Sequence, residues 1–419
     1  MAHAHTQTLT EEQTRLPARV ASLAPGIIFG GLVLILAALG WAFATEDGLV
    51  HFQYAYLTGF MAWLMVALGS LIFLCLQHVF RAGWSVGMRR IPEMIVSNFW
   101  PWIIVAFMPI FIPICMGDTT VYKWLDPAMV NPTSPLFDQI LANKSGYLNK
   151  GFFIGRLVAY FGIWTLMARF FVKNSVAQDA DGDPARTRRM EMRAAPLIMV
   201  FALSLTFAGF DLLMSLDPHW FSTIWGVYLF AGCMISSVSS MILLLMFIQN
   251  FGGMKHIGPE QYSDLGKLLF AFVFFWGYIA FSQYMLIWYA NIPEETTFFH
   301  FRQAGEWANF SLLLLFGHLL LPFPGLLSRH IKRGRKTLAF WAIWMLVFHF
   351  VDFYWMVMPY LAKKLGHGME VVFHPMDVLI WLGLGLGLFG LTLSRAKRQS
   401  MVPLRDPRLP ESLAFENYY

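Results

Sequence analysis

The chain reads as long apolar runs separated by short polar ones. Ten runs of spanning length can be drawn, near 24–45, 54–80, 94–115, 151–172, 194–216, 221–249, 263–289, 304–328, 337–360 and 375–395. At a rise of 1.5 Å per residue, about 20 apolar residues in a helix cross a hydrocarbon layer of about 30 Å. The pattern therefore predicts an all-α, polytopic membrane protein with ten transmembrane helices. The first run is too long for the apolar part of a signal peptide and has no convincing cleavage site, so it is expected to be a retained span. Residues 1–23 then form an N-terminal tail, 24–395 the membrane domain and 396–419 a C-terminal tail.

The polar positions between the runs orient the bundle. With the N-terminus inside, 22 lysines and arginines fall on the inner side, including Arg89, Arg90, Arg186, Arg189, Arg333, Arg335, Arg405 and Arg408. Only six fall outside: Lys123, Lys144, Lys150, Arg302, Lys363 and Lys364. The positive-inside rule then places both termini in the cytoplasm. The long connection 117–149, rich in Pro, Asn and Asp, is an outer loop of a length that usually carries function or docking. Inner residues 177–189 read as a polar loop with no evident chemistry.

Composition agrees: 57% of residues are apolar and 13% charged, against about 25% charged in soluble domains. The net charge of +5 does not indicate a nucleic-acid partner, because the basic residues sit in short inter-span loops. Cys75, Cys115 and Cys233 stand singly in apolar runs, without a C-x-x-C or C-x-x-C-H pattern. Iron–sulfur ligation and covalent haem attachment by this chain are therefore not expected.

Two spans share a spacing. Asp211 precedes Pro218 by seven residues and Asp352 precedes Pro359 by seven, in the fifth and ninth runs. A parallel duplication, with spans two to five and six to nine as two four-helix bundles, puts them in equivalent places and leaves spans one and ten peripheral.

Ionisable residues at membrane depth are costly and commonly functional. Toward the outside lie Arg156, Asp211, Gln283, Glu306 and Asp352; His318, His349 and the serines Ser236 and Ser239 lie near the middle, and His78 toward the inside. His349 and Asp352, three apart, share a helix face. Carboxylates and imidazoles suit proton handling, since burial raises a carboxylate toward neutral pH and an imidazole ordinarily titrates near it. Each also has a plainer reading. Arg156 and Asp211 could form a structural ion pair, His78 could reach to the interface, Glu306 could stabilise a helix start, and the serines could be close-packing residues. A b-type haem would need more histidine pairs than the single candidate His318–His349.

Three segments carry a family resemblance: LMSLDPHWFSTIWGVY, YIAFSQYMLIWYANIPEET at 278–296, and YAYLTGFMAWLMVALGSLIFLCLQHVFRAGWS at 54–85. The chain resembles the F subunit of bacterial alternative complex III, a quinol:electron-acceptor oxidoreductase, one of its two polysulfide-reductase-like (NrfD-type) membrane subunits. The resemblance implies two four-helix bundles with a flanking helix on each side, in a bacterial inner membrane. It implies as partners a multihaem cytochrome c, an iron–sulfur subunit, the sister NrfD-like subunit, and small membrane and monohaem subunits, with a terminal oxidase as a further candidate. Haem c and iron–sulfur clusters would belong to those partners, and none to this chain. Quinone is a candidate ligand, because the family is often described as quinone-binding. The expected role is assembly and proton conduction coupled to quinol oxidation, along Asp211, Asp352, His349, Arg156, Glu306 and Gln283, with His318, Ser236, Ser239 and His78 as an inner half. A stand-alone secondary transporter is the alternative from another class, although no span is interrupted at matching positions of the two halves.

Overall fold

The computed structural model describes residue 9 and residues 14–416, and every regular element among them is helical. The helices are α1 (Ala18–Ala44), α2 (Gly48–Val79), α3 (Arg90–Val96), α4 (Trp102–Met116), α5 (Gln139–Lys144), α6 (Lys150–Asp181), α7 (Pro184–Leu212) and α8 (Trp225–Asn250). They continue as α9 (Pro259–Ala290), α10 (Pro293–Arg302), α11 (Gly305–Leu314), α12 (Pro322–Leu327), α13 (Arg329–Arg333), α14 (Arg335–Lys364), α15 (Pro375–Ala396) and α16 (Leu409–Leu413). Among the described residues nine helical spans are long and apolar enough to cross a membrane, and the bent pair α3–α4, taken as one span, makes ten. Its bend of 40° falls at Trp100-Pro101, where proline removes a backbone donor and the residue before it disfavours helix. The protein is an all-α polytopic membrane protein.

Two four-helix groups are evident from the packing. α2, α3–α4, α6 and α7 form one; α8, α9, α11–α12 and α14 form the other. They meet along α2 and α8, with α7 also touching α8 and α14 also touching α2. The main contacts recur four spans along: α2–α7 matches α8–α14, α6–α7 matches α11–α14, and α7–α8 matches α14–α2, as a parallel duplication would produce. The two central helices are the most enclosed, with 89% of the apolar window of α2 and 83% of that of α8 buried. They approach closely because Gly69 lies against the Cys233 carbonyl, where a Cβ would come within 1.9 Å, and Ser70 and Ser237 share a hydrogen bond of 2.9 Å beside it. Small residues that let backbones touch are the usual cement between membrane helices.

The flanking helices depart from the expected placement. α1 and α15 pack on each other, not on opposite sides, and α15 rests on α2 and α3. A Cβ on Gly31 would lie 2.6 Å from the Gly383 carbonyl, and one on Gly390 would lie 3.1 Å from that of Ala24. The glycine-rich run of α15 is thus a packing seam.

The connections also differ from expectation in places. Residues 177–189 are not a loop. α6 runs to Asp181, Gly182 turns with a positive φ of 67°, and Asp183 caps the start of α7 by accepting from Ala185 N, with Pro184 at the first helical position. Proline at the first helical position and glycine just past a helix end are the reason so short a turn suffices. Residues 117–149, expected as one long loop, are folded onto the bundle: Tyr122 donates to the Leu212 carbonyl at 3.0 Å and Lys144 to that of Pro218 at 2.6 Å. The N-terminal tail falls mostly outside the described residues, and α1 already begins at Ala18 within it.

The segments before α1 and after α15 meet, Met401 N donating to the Thr14 carbonyl at 2.7 Å. The C-terminal tail then crosses this terminal face. Arg89 forms an ion pair with Asp406, Arg90 with Asp179 at 2.7 Å, and Leu404 N donates to the same Asp179. Glu93, fully buried, lies between Arg89 and Arg90 and accepts a hydrogen bond from Ser175 at 2.8 Å.

Candidate functional site

In the first bundle, Arg156 and Tyr160 stand one turn apart on α6 and both face Asp211 on α7. The guanidinium donates from Nε and Nη2 to the two carboxylate oxygens, each at 2.8 Å, and Tyr160 adds a third hydrogen bond at 2.7 Å. Nη1 donates to the Tyr147 carbonyl, and the guanidinium lies 3.8 Å from the Tyr147 ring centroid. A bidentate pair of this kind satisfies both charges. The geometry agrees with the plainer reading of these two residues, a tie between spans four and five.

In the second bundle, Asp352 has a different environment. Its carboxylate accepts from Tyr228 on α8 and from Trp276 Nε1 on α9 at 3.1 Å, and no lysine or arginine pairs with it among the described residues. One turn earlier on α14, His349 places Nε2 at 3.3 Å from the Ala62 carbonyl and leaves Nδ1 without a partner. Gly232 makes room for this ring, since a Cβ there would lie 3.1 Å from His349 Cε1.

His318 completes the group. It sits in a π-helical turn, Leu315–Leu320, between α11 and α12. Pro322 has no N–H to return to the His318 carbonyl four residues back, and Leu321 N instead reaches five residues back to Phe316 at 2.9 Å. Such turns are frequent at functional sites. The His318 ring stacks near Trp276, centroids 3.9 Å apart, and neither nitrogen has a hydrogen-bond partner among the described residues. One ligand atom each from His318, His349 and Asp352 lie within 4.8 Å of one another, all three residues being buried.

The remaining candidates are dispersed. Glu306 is exposed and its carboxylate accepts from Val371 N at 2.8 Å, while its own N–H bonds to Met369. It pins one loop to another and lies on no buried route. Gln283 donates to Ser222 at 2.8 Å beside the first turn of α8. Ser236 bonds back to the Gly232 carbonyl, a local helix contact, and Ser239 is buried without a partner among the described residues. His78 places Nδ1 at 2.8 Å from the Leu74 carbonyl and packs on Phe171 near the terminal face, apart from the triad.

Several polar groups escaped the sequence reading. Arg302 is buried and donates to the carbonyls of Phe298, Trp355 and Met356 at 2.9–3.0 Å. Pro359 explains this, because it leaves the Trp355 carbonyl without its helical donor. His51 and Asp377 form a buried contact of 2.7 Å between α2 and α15. Neither has a motif around it; Arg302 resembles an ordinary loop charge, and Asp377 an ordinary helix-start acid. Tyr228 and Trp276 were legible only as apolar-run aromatics.

A cavity of about 330 Å³ opens between α2, α8, α14 and α15, lined by Trp63, Leu244, Leu346, Trp381 and Phe389, with Ser240 and Thr392 as its polar groups. Thr392 is already hydrogen-bonded to Asn98 and Leu388. The wall suits hydrocarbon.

Fold and site together define a polytopic helical membrane protein of two packed four-helix groups, with a buried His–His–Asp cluster in the second. The chain matches no protein-family model and no curated protein.

Proposed function

We propose that this chain is a non-redox membrane subunit of a quinol:electron-acceptor oxidoreductase of the alternative complex III type, and that it carries protons through its second bundle. The observation that carries the proton role is the cation-free Asp352 beside His318 and His349. Three buried titratable side chains, with three unpartnered ring nitrogens between the two histidines, can accept and pass protons. Membership of the complex rests on the resemblance of the three motifs and is supported by the two-bundle arrangement. The partners would be the multihaem cytochrome c, the iron–sulfur subunit and the sister subunit, with both termini cytoplasmic in a bacterial inner membrane.

Purification from native membrane tests the assembly: co-purifying c-haem absorbance is expected, and a lone protein without it overturns the reading. The proton role is tested in the reconstituted complex with Asp352→Asn. Slower proton release per quinol is expected, and wild-type stoichiometry together with wild-type electron transfer refutes it. A quinone-binding role has the apolar cavity beside Trp63 and Trp381 in its favour, as a seat for an isoprenoid tail. Photo-labelling by a tail-substituted quinone at those tryptophans is the outcome that would establish it.

A further inference from the structure

We infer that His318, His349 and Asp352 form a binding site for a single divalent transition-metal ion of the zinc type, held at membrane depth in the second bundle. Two imidazoles and one carboxylate are a common ligand set for such ions. The three ligand atoms lie within 4.8 Å of one another. Bonds of 2.0–2.2 Å require edges of roughly 3.4 Å in a tetrahedron, so modest rotations of the two rings close the remaining gap.

The surroundings are those of a metal centre in two respects. His349 Nε2 faces the Ala62 carbonyl, which selects the tautomer with its proton there and leaves the Nδ1 lone pair free among the described residues. Ligating histidines usually have such a second hydrogen bond, and ligating carboxylates are themselves hydrogen-bonded. Tyr228 and Trp276 do this for Asp352. His318 adds an independent sign, since both its nitrogens are buried and unsatisfied and a π turn places it there. Burying polar atoms without partners costs free energy, and a cation would satisfy one of them.

Charge also closes. A dication with Asp352 leaves one positive charge, which a bound hydroxide in the fourth position neutralises. The same lone pairs cannot hold a proton and a metal at once, so binding weakens on acidification. A bound ion would therefore block proton transfer at this point, a regulatory consequence that rests on the proton role proposed above. Binding itself needs no partner subunit.

The test uses the purified full-length protein in detergent, stripped with chelator and titrated with Co²⁺ as a spectroscopic probe, then with Zn²⁺. One equivalent of Co²⁺ with visible ligand-field bands, displaced by Zn²⁺, is expected. His318→Phe and His349→Phe should each weaken binding more than tenfold, while Gly155→Ala in the other bundle, whose added carbon meets nothing within 4 Å, leaves it unchanged. Absence of the bands, or wild-type affinity in His318→Phe, overturns the site. If those variants do not fold, X-ray absorption on the Zn²⁺-loaded wild-type protein decides. A shell with two imidazoles and an oxygen supports the site, and a sulfur or all-oxygen shell refutes it. None of these readouts requires the complex, so failure here leaves the assembly proposal standing.

Discussion

Asp211 and Asp352 each stand seven residues before a proline in corresponding spans of the two bundles, yet only Asp211 faces a guanidinium. Arg156 holds it through two hydrogen bonds of 2.8 Å, whereas Asp352 is held by the hydroxyl of Tyr228 and the indole of Trp276. One carboxylate is fixed by charge and the other by neutral donors. That asymmetry separates a structural aspartate from a chemically available one.

Neutralising the two should therefore differ in cost. Asp211→Asn leaves Arg156 without its counter-ion and is expected to destabilise the protein by about 3 kcal/mol, the range for breaking a buried pair. Asp352→Asn keeps the shape and the bond to Tyr228 but turns an amide NH2 toward the Trp276 indole N–H, and should cost about 1–2 kcal/mol. Unfolding in mixed detergent measures both. Equal losses would remove the distinction.

The α2–α8 crossing should be intolerant of a single methyl group. Gly69→Ala puts a carbon within 1.9 Å of the Cys233 carbonyl, and forced overpacking typically costs about 1–3 kcal/mol. Gly155→Ala on α6 meets nothing within 4 Å and should be neutral or stabilising by up to about 1 kcal/mol, the helix-propensity difference. Thermal melts of the two variants, and their yields, provide the comparison.

Acidification should loosen the terminal face first. Burial holds the His256 imidazole below its ordinary value of 6.5, although the Gly87 carbonyl beside it works the other way. An unfolded chain then binds a proton below about pH 6.5 that the folded one refuses, so this stability falls as the pH drops below that value. Asp406 is also below its usual 3.8: burial raises it, but Arg89 and the backbone N–H of Arg408 outweigh that. Its contribution is present above 3.8 and is lost as the pH falls through its lower folded value. Proteolysis of the tail at pH 5 and pH 7.5 tests the first step, with faster cleavage expected at pH 5. His256→Phe should flatten that difference.

The opposite face should depend on Trp220. Its ring stacks on Phe298 with centroids 4.1 Å apart, and its Nε1 donates to the Glu295 carbonyl at 3.0 Å. The turn of the first bundle is thereby fastened to α10 of the second. Trp220→Ala is expected to cost about 3 kcal/mol, a usual figure for a deleted core aromatic. Hydrogen exchange in 293–302 should rise, and unchanged protection there would contradict the fastening.

Span number, helix class and the pairing of Asp211 with Arg156 were legible because hydrophobic length and buried charge are one-dimensional signals. The His349–Asp352 face followed from helical spacing alone. What brought His318 to them could not be read, because it depends on a π turn set by Pro322 and on α8 and α9 contributing Tyr228 and Trp276. Glu306 lies in the first turn of α11, as its plainer reading has it, and its exposed carboxylate accepts from Val371 N. The extent of α6 and α7 was underestimated because their polar ends, with Gln178 and Thr187 hydrogen-bonded to each other, project beyond the apolar core.

The seam between α1 and α15 has a consequence for how the molecule is made. Only 17% of the apolar window of α1 is buried in the finished fold, and the helix that covers it is the last span of the chain. During synthesis α1 has only α2 to rest on, and most of its surface stays in lipid until nearly everything else has been inserted. The two then close like a clasp, bringing Thr14 against Met401. Membrane insertion of this protein is thus completed by its outermost helices, and a chain stopped before α15 would keep its bundles but leave the clasp open.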